Sequence, residues 1–172
     1  DNSYHYKGLG SDDNRAAIAR ADSEFGRLLD WRAAAGLDDS LQIFTLSDHG
    51  QLSVTSEAVD VAGALTAAGF SVGATPFDGA DCALALSSAG GVCVRNSDPA
   101  LIRRIAEWLQ RQPWCGFVFP RDGDLNHTHL NIAHPRAPDI GVVMASTDGV
   151  NDAGVSGASL QTSAYPVGGG LH

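Results

Sequence analysis

Thr45-Leu46-Ser47-Asp48-His49-Gly50 is the stretch from which the fold and the chemistry of this chain can be inferred. The apolar, β-prone run at 41–46 predicts a buried strand, and Gly50 predicts a turn soon after it. Asp48 and His49 would then stand at the carboxyl end of a strand, where open α/β sheets bind ligands. Their oxygen and nitrogen atoms suit Zn²⁺ or a similar divalent ion. The competing interpretation is an ordinary loop in which Asp48 accepts hydrogen bonds from backbone amides.

The composition excludes several classes of protein. The chain has 172 residues, of which 44% are hydrophobic and 18% charged, and this indicates a folded α/β domain rather than a disordered chain. The formal net charge of -9 argues against non-specific nucleic-acid binding, because phosphates would be repelled. A bound metal ion would still allow a small phosphate substrate. No apolar run is long enough to cross a bilayer, so no membrane partner is expected.

Three cysteines, Cys82, Cys93 and Cys115, are widely spaced and lie in apolar runs. Because there is no C-x-x-C pair, a cysteine zinc site is not expected, and buried reduced thiols are the favoured interpretation. A disulfide between Cys82 and Cys93 stays open if their two strands pair.

The two ends of the chain supply further residues of the kinds that bind metal ions. Asp1 and His5 are four apart, so they would share one face of a helix, or lie close together in the polar, aromatic-rich loop predicted for 1–11. The competing interpretation of this stretch is a frayed terminus. His172 follows the run Gly168-Gly169-Gly170-Leu171. The start at Asp1, without an initiator Met, predicts that the chain is the interior of a longer sequence.

Apolar periodicity and capping residues predict three helices, at 14–35, at 57–68 and from Asp98-Pro99 to about Arg111. The first helix would bury a stripe of apolar residues at helical spacing: Ile18, Ala21, Phe25, Leu28 and Leu29. The third would bury a second such stripe: Leu101, Ile102, Ile105, Trp108 and Leu109.

Short apolar runs predict strands between these helices, at 41–46, 70–74, 82–86, 92–95, 114–119 and 140–145. The Gly-containing turn at 87–91 predicts that two of them form a hairpin. The segment 147–165 is rich in Gly, Ser, Asn and Asp without periodicity, so it is predicted to be a long loop of the functional kind.

Three pieces of the sequence, in this order, resemble the zinc-dependent nucleotide pyrophosphatase/phosphodiesterase family of the alkaline phosphatase superfamily. Asp1-Asn-Ser-Tyr-His5 is similar to the family's Pro-Asp-x-x-x-His element. Ser47-Asp48-His49-Gly50 is similar to its Ser-Asp-His-Gly element, and Gly170-Leu-His172 to its late Gly-x-His element. The run from His134 to Asp139, just before a predicted strand, also fits the family.

The resemblance implies an alkaline-phosphatase-like α/β sandwich, a mixed sheet flanked by helices, of which this chain is a part. Residues 1–69 would belong to the catalytic core. Residues 70–120 would form a small inserted α+β subdomain, and 121–172 would return to the core and supply a loop with a metal ligand.

The resemblance also implies a site with two zinc ions. Asp1, His5 and His172 would hold one ion, and Asp48 and His49 the other. In this family a Thr or Ser attacks phosphorus and expels an alcohol or a nucleoside phosphate, after which water hydrolyses the phosphoenzyme. That nucleophile and a further Asp ligand would lie upstream of Asp1. No catalytic nucleophile is therefore expected in this chain, and the chain alone should be inactive.

Lys7, Arg136 and His129 are candidate contacts to the substrate, a small phosphodiester or nucleotide. The alternatives are an ion pair to Asp139 or to the loop for Arg136, and a solvent-facing or structural role for His129. His127 and His129 would share one face if they lay on a strand.

Two other functions stay open at this stage. A phosphonate hydrolase or a phosphomonoesterase of the same superfamily would use the same ligands on other substrates. The absent nucleophile and the acidic composition also allow a non-catalytic interaction module. The sequence does not distinguish a cytoplasmic from a periplasmic location, and it does not indicate an oligomeric state.

Overall fold

The computed structural model describes residues 2–162 and 170–171, and over these residues it contains two β-sheets flanked by four α-helices. The predicted mixed α/β architecture is therefore confirmed. The helices are α1 (Asn2–Lys7), α2 (Asp12–Ala34), α3 (Val61–Ala67) and α4 (Pro99–Gln110). Among the described residues, no helix combines the length and the apolar character needed to cross a membrane.

The first sheet has five strands in the order β2-β3-β4-β6-β5. Its strands are β2 (Val72–Gly73), β3 (Cys82–Leu86), β4 (Ala89–Val94), β5 (Cys115–Pro120) and β6 (Ile140–Met144). β3 and β4 form the predicted antiparallel hairpin. Helix α4 begins as predicted, with the Asp98 side chain accepting a hydrogen bond from the amide of Ala100 and Pro99 in the first position.

The main hydrophobic core lies between α4 and this sheet, with α3 beside it. Leu101, Ile102, Ile105 and Leu109 of α4 are buried there as predicted, and Trp108 packs against the core. The cysteines are free thiols. Burial raises the pKa of the Cys82 thiol to about 11. Because Cys82 lies opposite Val94 and Cys93 opposite Ala83, the two thiols face opposite sides of the sheet, which excludes the disulfide.

The second sheet has four strands in the order β7-β8-β1-β9. Its strands are β1 (Leu52–Ala58), β7 (Ser146–Val150), β8 (Ser156–Gln161) and β9 (Gly170–Leu171). β1 runs parallel to β8 and antiparallel to β9. A loop was predicted at 147–165, and over its described part, 147–162, the prediction was wrong, whereas 163–165 lie outside the described residues. The residues that β8 buries include the polar Ser159 and Gln161, so alternation of apolar residues does not mark it as a strand.

The strand predicted at 41–46 was also wrong. Residues 41–47 have no regular secondary structure, and Phe44 and Leu46 are 78% and 93% exposed. A strand forms only where a neighbour completes its backbone hydrogen bonds, and no described residue pairs with this segment. Strand β1 instead begins at Leu52, so Asp48 and His49 precede a strand rather than follow one.

The amino-terminal helices also differ from the prediction. Residues 2–7 are helical rather than a loop, and α2 begins at Asp12 with Ser11 as its cap. The buried stripe predicted for α2 was wrong. Ile18, Ala21, Leu28 and Leu29 are exposed and Phe25 is half-buried. Helical periodicity predicts which side chains share a face, but a face is buried only where another element packs on it.

The helix predicted at 57–68 starts later, at Val61, because residues up to Ala58 are paired in β1. The division into segments 1–69, 70–120 and 121–172 stays a prediction. In the structure, β6 from the third segment completes the sheet whose other strands come from the second.

Candidate metal centre

The Asp48–His49 pair lies in an exposed loop that leads into β1. The Nδ1 of His49 lies 2.9 Å from the carbonyl oxygen of Gly50. A carbonyl can only accept, so Nδ1–H is the donor and the ring is held by its own loop. The Nε2 atom of His49 lies 3.4 Å from Oδ2 of Asp48, whose Oδ1 accepts a hydrogen bond from the amide of His49 at 3.0 Å.

This pair fits a zinc ion by the chemistry and spacing of its donor atoms. Two ligands bound to one tetrahedral zinc at roughly 2.0–2.1 Å lie roughly 3.3–3.4 Å apart, which is the separation of Oδ2 and Nε2 here. A hydrogen bond from the other imidazole nitrogen to a backbone carbonyl is also usual for a histidine ligand. The Asp48 side chain is 86% exposed, so an ion could reach it without rearrangement of the fold.

A cavity of about 410 Å³ connects this loop to the start of the chain. Its lining residues come from both places: Tyr4, Leu9, Ser47, Asp48, His49, Gly50 and Gln51. Helix α1, which contains Tyr4 and the half-buried His5, packs on α2 and contacts β9. The imidazole of His5 meets the ring of Tyr6 edge-on, with centroids 6.5 Å apart.

The last described residue of the chain lies beside the same loop. Leu171 of β9 pairs with Leu52 of β1, and Gly170 pairs with Ser53. Three sequence-distant segments therefore meet here: α1 with His5, the loop with Asp48 and His49, and β9.

Asp1 and His172, two of the five predicted ligands, lie outside the described residues. Within 2–162 and 170–171 there is no group of three or more His, Cys, Asp or Glu side chains placed to hold a metal ion. The ligand set of Asp1, His5, Asp48, His49 and His172 therefore stays a prediction.

The three candidate substrate contacts do not line this cavity. Lys7 forms an ion pair with Asp13 at 3.5 Å and lines a separate cavity of about 220 Å³ near the start of α2. His129 lies in the 3-10 helix His127–Leu130, where its Nδ1 accepts a hydrogen bond from the amide of Asn126 at 3.2 Å. It does not lie on a strand, so it does not share a strand face with His127. The role of Lys7, His129 and Arg136 as substrate contacts stays a prediction.

Arg136 is exposed, and its backbone amide donates to Nδ1 of His134 at 3.1 Å. Of the two alternatives for Arg136, an ion pair to Asp139 or to the loop, the first is not found among the described residues, where Asp139 is paired with Arg121 at 2.7 Å. Arg121 also donates to the carbonyl oxygens of His134 and Ala137, so it organises the loop before β6.

Sequence reasoning missed two asparagines that hold the walls of the cavity. The buried Asn14 donates to the hydroxyl of Ser3 in α1 at 3.2 Å and accepts from the amide of Gly10 at 3.1 Å. Asn151, in the turn between β7 and β8, donates to the carbonyl oxygen of Leu9 at 2.8 Å. In the sequence Asn14 is only the first residue of the helix predicted at 14–35, and Asn151 lies in the segment predicted to be a loop.

Comparison with known proteins gives one match. The sequence model of the family described as type I phosphodiesterase / nucleotide pyrophosphatase matches residues 1–145 of the 172-residue chain. This range includes α1 and the Asp48–His49 loop. The chain matches no curated protein and no solved structure.

Proposed function

We propose that this chain, which belongs to the type I phosphodiesterase / nucleotide pyrophosphatase family, supplies metal ligands of a zinc-dependent enzyme acting on nucleotide-type substrates. The activity of the family is the hydrolysis of phosphodiester and pyrophosphate bonds. Asp48 and His49 hold one zinc ion in this proposal, and Asp1, His5 and His172 hold the second. The observation that supports it best is the 3.4 Å separation of Asp48 Oδ2 and His49 Nε2 next to α1.

Bound zinc ions would supply Lewis-acid stabilisation of the negative charge that develops on phosphate oxygens. The residues of this chain orient the ligands for that task. The Gly50 carbonyl fixes the His49 ring so that Nε2 points toward Asp48. Because a histidine ligand must be neutral, the proposal predicts activity from neutral to alkaline pH and its loss in acid.

The covalent step follows the family resemblance. A Thr or Ser oxygen attacks phosphorus, the bond from phosphorus to the leaving alcohol or nucleoside phosphate breaks, and water then cleaves the phosphoenzyme. We place this nucleophile and a further Asp ligand outside the 172 residues, so the chain by itself should show no turnover. Lys7 pairs with Asp13 and lines a different cavity, and His129 and Arg136 lie in the connection between β5 and β6 of the five-stranded sheet.

Zinc titration of the native protein that contains these residues, against a chromophoric chelator, tests the metal site. We expect Asp48→Asn/His49→Gln to lose one zinc equivalent and His5→Gln to weaken the other. The matched control, Asp39→Asn/His129→Gln, makes the same chemical changes at residues that do not line the cavity, and it should keep both. Undiminished zinc content in Asp48→Asn/His49→Gln would overturn the assignment.

Activity is tested on the native protein that contains these residues, with a nitrophenyl phosphodiester, a nitrophenyl phosphomonoester and phosphonoacetate as alternative substrates. Preference for the diester, abolished by Asp48→Asn/His49→Gln, supports the proposal. Preference for the monoester or for phosphonoacetate would favour the phosphomonoesterase or phosphonate hydrolase alternatives. Full activity in the double variant would contradict a catalytic role for the pair.

A further inference from the structure

Asn151 connects the two walls of the candidate metal centre with a single side chain. Its amide nitrogen donates to the carbonyl oxygen of Leu9, at 2.8 Å, and to the hydroxyl of Ser53, at 3.2 Å. Leu9 lies in the connection from α1 to α2 and lines the cavity beside Asp48 and His49. Ser53 is a buried residue of β1, the strand into which the Asp48–His49 loop leads.

The other half of the same amide group is used differently. Its oxygen accepts hydrogen bonds from the amides of Ala153 and Val155, at 3.0 and 2.9 Å, and so shapes the turn between β7 and β8. The Asn151 oxygen therefore builds the turn, whereas its nitrogen holds the α1–α2 connection against β1. A substitution that changes only the nitrogen can separate these two roles.

The α1–α2 connection is also fitted closely to this turn. Gly10 has a positive φ of 76°, and a Cβ added there would lie 2.9 Å from Cγ2 of Val155 and 3.3 Å from Cβ of Ala153. The connection therefore has little room to move against the turn, and the Asn151 nitrogen adds a directional bond to that contact.

We infer that Asn151 is a positioning residue for the metal centre, because its amide nitrogen fixes the distance between the α1 segment, with His5, and the loop with Asp48 and His49. This inference rests on the proposed function for its chemical meaning. The positioning role of Asn151 can be measured without a metal ion, so a failure of this inference can be distinguished from a failure of the proposed function.

The decisive variant is Asn151→Asp. A carboxylate keeps an oxygen for the amides of Ala153 and Val155, but it places a second oxygen against the carbonyl of Leu9. Hydrogen exchange of the amides at 2–11, followed by mass spectrometry, should become about tenfold faster, whereas exchange at 151–155 stays unchanged.

Asn126→Asp is the matched control. The Asn126 side chain has the same division of roles, since its oxygen accepts from the amide of Thr128 at 3.0 Å and its nitrogen donates to the carbonyl of Gly123 at 2.7 Å. These residues do not line the cavity beside Asp48. Asn126→Asp should leave exchange at 2–11 as it is in the parent protein.

Ser53→Ala refines the assignment. It removes one acceptor of the Asn151 nitrogen and leaves the bond to Leu9, so exchange at 2–11 should rise less than in Asn151→Asp. Parent-like exchange at 2–11 in Asn151→Asp would overturn the inference, whatever the zinc titration shows.

A zinc titration then tests the link to the metal centre. If the parent, the native protein that contains these residues, binds two zinc ions, Asn151→Asp should weaken the zinc that depends on His5 by about tenfold, and Asn126→Asp should not. Equal zinc binding by Asn151→Asp and the parent overturns the link. If the parent binds no zinc, the proposed function fails, and the exchange measurement still decides whether Asn151 positions α1.

Discussion

The five-stranded and four-stranded sheets of this protein differ in how their apolar residues are used. In the first, the apolar residues of α4 join those of β3, β4, β5 and β6 in one core, and Ile105 and Leu109 have no exposed surface. Beside the second, α2 and the segment 41–47 expose apolar residues such as Leu28 and Phe44. The five-stranded sheet with α4 is the first region, and it should therefore contribute most of the free energy of unfolding. The four-stranded sheet with α1, α2 and the Asp48–His49 loop is the second region, and it contains the candidate metal centre.

The largest expected effect is at the ion pair next to the start of β6, in which Asp139 is buried and the Arg121 side chain is 28% exposed. The Asp139 side chain is 6% exposed, pairs with Arg121 and accepts a hydrogen bond from the amide of Val94 at 2.6 Å. Asp139→Asn leaves Arg121 without its charge partner, so we expect a loss of about 3–5 kcal/mol in the free energy of unfolding. Urea denaturation measures it. Asp48→Asn, the same change at an exposed carboxylate, should cost almost nothing, and equal losses would remove the contrast between the regions.

Shortening apolar side chains tests the same contrast in the two helices. Leu109→Ala in α4 should lower the free energy of unfolding by about 2–5 kcal/mol, because it leaves a cavity in the core. Leu28→Ala in α2 removes the same atoms from a side chain that is 43% exposed, and it should cost under about 1 kcal/mol. A larger loss for Leu28→Ala, measured in the same urea series, would show that α2 is covered in solution.

Zinc binding should stabilise the second region alone. At a zinc concentration about a hundredfold above the dissociation constant, binding adds about 2.7 kcal/mol to stability. Hydrogen exchange should slow at 2–11 and 47–53 and stay unchanged at 99–110, and a chelator should reverse the effect. Asp48→Asn/His49→Gln should lose the protection at 47–53, and unchanged protection there would mean that zinc binds elsewhere.

The smallest effect concerns acid stability of the first region. Burial, with the Arg121 charge second, lowers the pKa of His127 below its ordinary value near 6.5. The unfolded chain then binds a proton more readily than the folded one. Stability should fall as the pH drops from about 6.5 toward the folded pKa, and it should be fully retained above that range. In His127→Asn the free energy of unfolding, measured with urea, should depend less on pH in this range. An unchanged pH dependence would contradict the assignment to His127.

The same contrast explains what could be predicted from sequence. The Asp98-Pro99 start, the α4 stripe and the β3–β4 hairpin were confirmed, because the partners of these elements lie within about fifty residues and are themselves apolar. The segment 41–46 and the α2 stripe failed, because apolar residues indicate a capacity for burial, which is realised only when another element covers them.

The ligand set itself stays a prediction. For the candidate site, local motifs indicated His5, Asp48 and His49, and the structure places the segments that contain them, α1 and the Asp48–His49 loop, near β9. These motifs could not predict the order β7-β8-β1-β9, since backbone pairing between distant polar strands leaves little pattern in the sequence. They also missed Asn14 and Asn151, whose roles depend on backbone atoms of sequence-distant residues.

The pairing of β1 has a consequence for how the protein is made. Ser53 pairs with Ala158, about a hundred residues later, and Leu52 pairs with Leu171. At roughly 5–20 residues per second of synthesis, β1 would emerge from the ribosome roughly 5–20 s before its partner strands. The hairpin and α4 can associate during this interval, since their contacts are local. The walls of the candidate centre would then assemble after the hairpin and α4, and β1 would stay without its partner strands until β8 and β9 had been synthesised.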